Sequence, residues 1–201
     1  MKKWMLAFGT AALLAMPALA DTTTWQLDPN HSNAHFVVRH LGISNVDGQF
    51  TKLSGTVQLD ESDMTKSSVS ATVDLASVNT RVEARDNDLR SEHFFDVAKY
   101  PTMTFQSTKI TKAADGSLKM TGNLTLHGVT KEVTFDVTGP TAPLQAMGGT
   151  RRGAEATTKI NRSDFGITYG AMKVGNGSLM VGDEVAITID LEMVLQKPAG
   201  Q

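Results

Sequence analysis

The sequence VAITIDLEM, residues 185–193, decides the fold. Its apolar side chains recur at every second position, at Val185, Ile187, Ile189, Leu191 and Met193. Successive side chains of a β-strand point to opposite faces, so this pattern predicts a strand with one apolar and one polar face. The run is the longest of its kind in the chain, and long strands favour the tilted wall of a barrel.

The same alternation recurs along the rest of the chain and predicts eight or nine strands in all. The further segments lie at residues 23–27, 34–39, 56–59, 68–75, 102–106, 118–126, 132–137 and 154–160. Turn residues separate them, and the pair Asp115-Gly116 is a strong hairpin signal. Short connections join antiparallel neighbours, so we expect an all-β, antiparallel domain.

One segment departs from the alternation. Residues 81–95, RVEARDNDLRSEHFF, are rich in charge, and they predict a short helix over residues 81–91. Amphipathic antiparallel strands hide their edges in a sandwich or in a closed barrel, and the internal helix and long strands favour the barrel. The expected fold class is therefore a single antiparallel eight-stranded barrel with a short helix near one end. Residues 140–153 and 166–182 are rich in Gly or Pro and are predicted to be long loops.

The composition excludes several classes of protein. The 201 residues contain no Cys, which excludes disulfides, thiolate zinc sites and iron–sulfur clusters. A net charge of −2 gives no basic footprint for nucleic acid. With 40% hydrophobic and 20% charged residues, the chain has the composition of a globular domain.

The N-terminus has the three parts of an export signal. Lys2 and Lys3 precede an apolar stretch at residues 4–16, and small residues at positions 18 and 20 match those that signal peptidase reads. Cleavage is expected between Ala20 and Asp21. The pattern divides the chain into a signal peptide at residues 1–20 and one domain at residues 21–201, and it indicates a periplasmic destination.

The histidines do not indicate a metal site or an enzyme. His31 and His35 would lie about 13 Å apart along a strand, and His40 would point to the opposite face. The sequence contains neither an H-E-x-x-H motif nor a G-x-S-x-G elbow. We therefore expect no catalytic residue, no resident metal and no cofactor, and interpret these histidines as structural or as lining a barrel mouth.

Two features leave alternatives open. The Phe residues are spread over several predicted strands, and inside a barrel they would form either a packed core or the wall of an apolar tunnel. Arg85 precedes Asp86, and Arg162 lies two residues before Asp164. Each arginine is expected either to clamp a phosphate or hydroxyl head group or to form a structural ion pair.

The order of short motifs along the chain resembles the YceI family of periplasmic proteins. The matching blocks are WQLD at 25–28, HS at 31–32, FVVRH at 36–40, GQF at 48–50, GTV at 55–57, Thr80, RDxxLxSxxFFD at 85–96, YP at 100–101, FxS at 105–107, GNLTLHGVTK at 122–131, NRSDFG at 161–166 and DEV at 183–185. No block is specific alone, but together they cover essentially all of residues 21–201.

The resemblance implies a lipocalin-like antiparallel barrel with an elongated apolar tunnel for polyisoprenoids, isoprenoid quinones or related long-chain amphiphiles. The function expected from it is that of a periplasmic carrier for such a lipid, with no further cofactor. Transient membrane contact and a homodimer are compatible with that role. The alternatives are an accessory enzyme or electron-transfer partner that acts on a bound quinone, and a stress-related structural protein with a filled core.

If the apolar side chains of every strand point into the barrel, the tunnel would be lined by residues from most strands and from the end of the helix. They are Phe36, Val38, Phe50, Val57, Val73, Phe94, Phe95, Phe105, Leu124, Phe135, Phe165 and Ile187. The candidates for contact with the polar head group are His31, His40, Arg85 and Arg162.

Overall fold

The computed structural model describes residues 22–197 of the chain. Within these residues it contains twelve strands, one α-helix and three short 3-10 helices. The strands are β1 (Thr22–Leu27), β2 (Asn33–His40), β3 (Ser44–Phe50), β4 (Leu53–Asp60), β5 (Ser68–Asp74), β6 (Val78–Asn79), β7 (Thr102–Lys112), β8 (Leu118–Leu126), β9 (Val129–Thr138), β10 (Leu144–Ala146), β11 (Gly149–Asn161) and β12 (Val181–Leu195). The helix α1 is Glu83–Arg90, and the 3-10 helices are Met64–Lys66, Leu75–Ser77 and Arg162–Phe165. The predicted cleavage site at Ala20 and Asp21 lies outside the described residues.

Several strands are halves of longer ones. β1 pairs with β4 and β2 pairs with β3, so β1 with β2 and β3 with β4 form one long antiparallel hairpin. β5 and β6 continue it, because β5 pairs with β4 and β6 pairs with β3. We count each of the pairs β1/β2, β3/β4 and β5/β6 as one wall of the barrel. The remaining walls are the single strands β7, β8, β9, β11 and β12, which follow in chain order.

The barrel closes on its last strand. β12 pairs with β11 along its length, and on its other edge it pairs first with β2 and then with β1. The result is a closed antiparallel barrel of eight walls, which confirms the expected fold class. The small strand β10 is added outside this circle, on the edge of β11.

The connections between antiparallel walls alternate between two ends. The first, which we call the helix end, carries the turn at residues 41–43, the helical segment at 80–101, the turn at 127–128 and the loop at 166–180. The second, the far end, carries the connections at residues 61–67, 113–117 and 139–148. No helix among residues 22–197 has the length and apolarity needed to cross a bilayer.

The helix α1 is shorter than the predicted 81–91, and tertiary contacts fix it. Arg90 donates to the carbonyl oxygens of Ala76 and Val78, and the Asp86 carboxylate accepts from the backbone N–H of Thr80 at 2.8 Å. These bonds tie the middle and the C-terminal end of the helix to residues 76–80, which precede it, so its position over the barrel is set by that segment.

One loop prediction is wrong and the other agrees with the structure. Residues 140–153 include β10 and the start of β11, which pair across a tight turn. Met147 and Gly148 there have φ values of 51° and 77°, a turn geometry that apolar periodicity does not reveal. Residues 166–180 are irregular, apart from a single bridge between Lys173 and Leu179.

Candidate functional site

An apolar cavity lies inside the helix end of the barrel. Its walls are the inner faces of β2 and β12, and α1 and the segment after it cover it with Leu89, Phe94 and Phe95. The space between the lining atoms is about 750 Å³, part of it open to solvent. Among the described residues that line it, His35 and Arg162 are the ones with ionisable side chains. The cavity therefore suits a hydrocarbon chain better than a polar ligand.

A second apolar cavity lies at the far end, with about 600 Å³ between its lining atoms, again partly open to solvent. Met64 and Pro140 come from the far-end loops, and Ala154, Leu191 and Met193 come from β11 and β12. The sequence prediction of one elongated tunnel did not distinguish this cavity from the first.

The inner face of β12 lines both cavities. Ile189 lines the first cavity and Leu191 lines the second, and these inward positions are about 7 Å apart along the strand. On the neighbouring strands Ala34 and Ala156 lie beside Ile189 in register. Because both neighbours are small, they fill little of the interior beside Ile189, at the boundary between the two cavities, which we call the alanine neck (Ala34, Ala156 and Ile189).

On β7 and β8 the part of the interior between the two cavities is packed. The rings of Phe105 and Phe135 meet edge to face with centroids 5.1 Å apart, and Leu124 and Val73 are buried among the core residues with them. Aromatic pairs in this geometry are stable packing units. The interior therefore holds two apolar cavities, with a packed layer between them on the side of β7 and β8.

The structure places the predicted tunnel residues in three groups. Six line the helix-end cavity: Phe36, Val38, Phe50, Phe94, Phe95 and Ile187. Val57 lines the far-end cavity. Five line neither cavity, because their side chains are packed in the core: Val73, Phe105, Leu124, Phe135 and Phe165. Contact of the first seven with a ligand stays a prediction.

Sequence reasoning missed several lining residues. Val185 and Ile189 share the phase of Ile187, so the alternation along β12 could have identified them. Ile167 and Val181 lie at the two ends of the 166–180 loop, where no periodicity marks them.

Arg162 is a buried structural residue at the helix end. Its Nε donates to the Gly182 carbonyl, its Nη1 to those of Ile167 and Tyr169 at 2.8 Å each, and its Nη2 to that of Val181. Burial lowers the pKa of its guanidinium, and the nearby Asp183 charge opposes that shift. The predicted ion pair with Asp164 is wrong, since the guanidinium binds backbone carbonyls from both ends of the 166–180 loop.

Arg85 also binds its neighbours through neutral groups. Its Nε donates to Thr80 Oγ1 at 2.8 Å and its Nη2 to the Thr80 carbonyl at 2.9 Å, while Thr80 Oγ1 donates to Asp86. The Thr80 hydroxyl therefore stands between the two charges, and the direct Arg85–Asp86 ion pair expected from the sequence is not formed. Arg85 lines neither apolar cavity.

The two histidines proposed for the head group lie outside both cavities. His40 is exposed at the end of β2. His31 lies in the connection between β1 and β2, with its Nδ1 3.0 Å from Asp28 Oδ2. The structure does not bring these histidines together with Arg162 at one mouth.

His31 instead belongs to a charged cluster on the outer wall. Arg151 Nη1 donates to Asp28 Oδ2 at 2.7 Å and to Glu192 Oε1 at 2.5 Å. The bond from Arg151, followed by that from His31, holds the pKa of Asp28 well below its usual range. One ligand atom each of Asp28, His31 and Glu192 lie within 4.8 Å of one another, a spacing that a metal ion could use. The Arg151 guanidinium already supplies the positive charge there, and the expectation of no metal stays a prediction.

A buried arginine crosses the far end. Arg152 Nη1 donates to the Thr141 carbonyl and Nη2 to Glu61 Oε1, and the guanidinium lies 5.3 Å from the centre of the Trp25 ring. It therefore ties the 61–67 and 139–148 connections together across the base of the barrel.

Comparisons with known proteins give a consistent family. Residues 25–193 match the family model described as YceI-like domain. Protein YceI of Salmonella arizonae is 39% identical over 199 residues, which cover 98% of this chain and all of that protein. The crystal structure of BcnA from Burkholderia cenocepacia aligns with a TM-score of 0.69 and 27% identity, over 83% of this chain and 98% of that one.

A third relative shows the same fold at lower identity. A polyisoprenoid binding domain from Saccharophagus degradans aligns with a TM-score of 0.62 and 19% identity, over 87% of this chain and 99% of that one.

Proposed function

The chain belongs to the YceI-like family, and from this premise we propose that it binds the hydrocarbon tail of a long isoprenoid lipid in its two adjoining cavities. The observation that carries the proposal is the inner face of β12, whose apolar residues line both cavities in succession. The ligand named for the Saccharophagus degradans domain supports the same class of molecule for this chain.

The energetics favour the tail over the head group. Burial of a methylene group contributes about 0.8 kcal/mol, so each five-carbon prenyl unit contributes about 4 kcal/mol before ordering costs. Arg162, the guanidinium on the cavity wall, already donates to four carbonyls. The head group is therefore expected to orient the lipid at the helix-end mouth and to add little affinity.

The role we propose is that of a carrier and not of an enzyme. A prenyl lipid that crosses an aqueous compartment needs its tail covered, and a closed barrel with an apolar interior provides this cover. The export signal predicted at residues 1–20 supports the periplasm as that compartment.

Native mass spectrometry of protein purified from its own periplasm tests the proposal. We expect a co-purifying mass in the range of a polyprenol or isoprenoid quinone. The matched variants are Ile187→Asp on the cavity wall and Thr188→Asp on the opposite face of β12. A folded Ile187→Asp protein is expected to lose the lipid, because a carboxylate in an apolar cavity is strongly desolvated.

Ile187→Trp provides a second variant, which fills the cavity without adding charge. An empty wild-type protein, or equal lipid retention in Ile187→Trp and Thr188→Asp, would refute the proposal and favour a filled core.

A further inference from the structure

Two segments at the helix end form one exposed unit, which we call the helix-end lobe (residues 39–45 and 167–182). The backbone N–H of Leu41 donates to the Met180 carbonyl at 2.9 Å, and Asn176 Nδ2 donates to the Leu41 carbonyl at 3.0 Å. Arg162 holds the longer segment by four of its carbonyls. The lobe is therefore a fixed surface attached to the mouth of the cavity.

Three large apolar side chains of the lobe are exposed. Ile43 is 72% exposed, Met172 63% and Tyr169 49%. Large apolar side chains grouped at one place on a surface mark an interaction site more often than scattered ones do.

Its charge differs in sign from that of the whole chain. The chain carries a net charge of −2, whereas the lobe contains Arg39 and Lys173 and no Asp or Glu. Arg39 donates to Asn45 Oδ1 and to the Gly42 carbonyl, so its charge is not cancelled by a carboxylate. The nearest acid in sequence, Asp183, accepts from the N–H and hydroxyl of Ser163.

The lobe is continuous with the helix-end cavity. Ile167 and Val181 belong to the lobe and also line that cavity. The Tyr169 ring packs edge to face on Phe94, a cavity residue, with centroids 5.4 Å apart. A lipid tail that passes from the lobe to the cavity would therefore stay in contact with apolar side chains.

We propose that the helix-end lobe docks on the surface of an anionic phospholipid bilayer and that lipid is exchanged there, an inference that rests on the proposed function. Exposed apolar side chains beside unpaired cations are the combination that binds a bilayer surface without crossing it. The negative surface potential attracts Arg39 and Lys173 despite the net charge of the chain.

Flotation with phosphatidylcholine vesicles, with and without phosphatidylglycerol, tests the docking. The full-length mature protein is expected to float with the anionic vesicles. Ile43→Ser with Met172→Ser should lower vesicle affinity at least about tenfold. The matched control is Leu144→Ser with Met147→Ser at the far end, where these residues are 63% and 77% exposed.

Two variants that each remove one positive charge complete the test. Lys173→Gln should weaken binding to anionic vesicles about fivefold, whereas Lys112→Gln at the far end should not. No binding by the wild type, equal losses at the two ends, or a change in oligomeric state with the Ile43/Met172 pair would overturn the docking surface. In the last case the lobe would join two copies of the chain.

Binding of a short prenol in solution, without vesicles, separates this inference from the proposed function. The lobe variants are expected to bind that prenol like the wild type. Prenol binding without vesicle binding would refute the docking surface alone. Vesicle binding without prenol binding would refute the carrier proposal and the lipid exchange, and the docking surface would stand.

Discussion

The phenol ring of Tyr169 lies flat on the imidazole ring of His93, with ring centroids 4.2 Å apart and planes 3° apart. His93 belongs to the segment that follows α1, and Tyr169 belongs to the loop between β11 and β12. His93 Nδ1 is also 2.8 Å from Asp88 Oδ1 on the helix. The stacked pair therefore joins the helical segment that covers the helix-end cavity to the 166–180 loop, whose Ile167 also lines it, and these two segments are the covers of the cavity.

Removal of this stack is expected to speed ligand exchange. In Tyr169→Ala the helical segment and the loop lose their aromatic contact, so the covers should separate more often and a bound prenol should leave several-fold faster. Tyr169→Phe keeps the ring and should release prenol at the wild-type rate. Stopped-flow transfer to cyclodextrin measures the rate without a bilayer. Equal rates in the two variants would show that the stack does not limit exchange.

The alanine neck is expected to set the length of tail that the barrel accepts. In Ala156→Phe a ring fills the space beside Ile189, so a long polyprenol should lose binding while farnesol keeps it. Overpacking there should also cost about 1–3 kcal/mol of stability. Thr157→Phe, on the outer face of β11, is the control. Titration with both prenols checks the expectation, and parallel losses for the two lengths would contradict it.

Arg162 is expected to matter for stability and not for head-group recognition. Arg162→Met leaves four carbonyl acceptors without their donor, and each buried unsatisfied group costs about 1–3 kcal/mol. A loss of at least about 3 kcal/mol should lower Tm by about 6–12 °C. Lys131→Met, at an exposed position, should change Tm little.

The same Arg162 variant distinguishes a clamp from a structural anchor. We expect it to weaken binding of a prenyl phosphate and of the uncharged prenol by the same factor. A selective loss for the phosphate would assign the head group to Arg162.

Asp28 is expected to make stability depend on acid pH. Its pKa lies well below the usual value because Arg151 and His31 bind the ionised form. The unfolded chain therefore takes up this proton first, near pH 4, so the stabilisation is full above about pH 4 and is lost as the pH falls further. Asp28→Asn should lower Tm at neutral pH, and its Tm should converge with that of the wild type in acid.

Asp136→Asn supplies the comparison for that series. Asp136 is 70% exposed and pairs with Lys119 on the surface, so its loss should have little effect at any pH. A constant Tm difference for Asp28→Asn between neutral and acid pH would contradict the expected linkage.

The strand pattern was predictable because a half-buried wall requires alternation. Val185, Ile187 and Ile189 alternate for that reason, and the barrel follows from eight such walls. β10 was not predictable, since three residues cannot show a period. The sequence could not distinguish cavity residues from core residues either. Phe36 on the cavity wall and Phe105 in the core both occupy inward positions of the same apolar alternation.

What decides between core and cavity is the size of the residues on neighbouring strands, which sequence order does not show. Ala34 and Ala156 meet Ile189 only after three strands are aligned. Arg162 was misassigned for a similar reason. Its nearest acid in sequence is Asp164, but its partners are carbonyls that the fold brings to it from as far as Gly182.

The arginine that ties the far-end loops has a consequence for how cargo would travel. Arg152, bonded to Thr141 and Glu61, places a buried guanidinium across the base beside a far-end cavity that is itself partly open to solvent. Because an apolar tail does not pass a buried charge easily, we expect the tail to enter and leave at the helix end. A lipid that enters the helix end with its tail first would leave through the same end with its head group first. A carrier of this kind would release the lipid in the orientation in which it was bound. The donor and the acceptor of the lipid would then both have to contact the helix end.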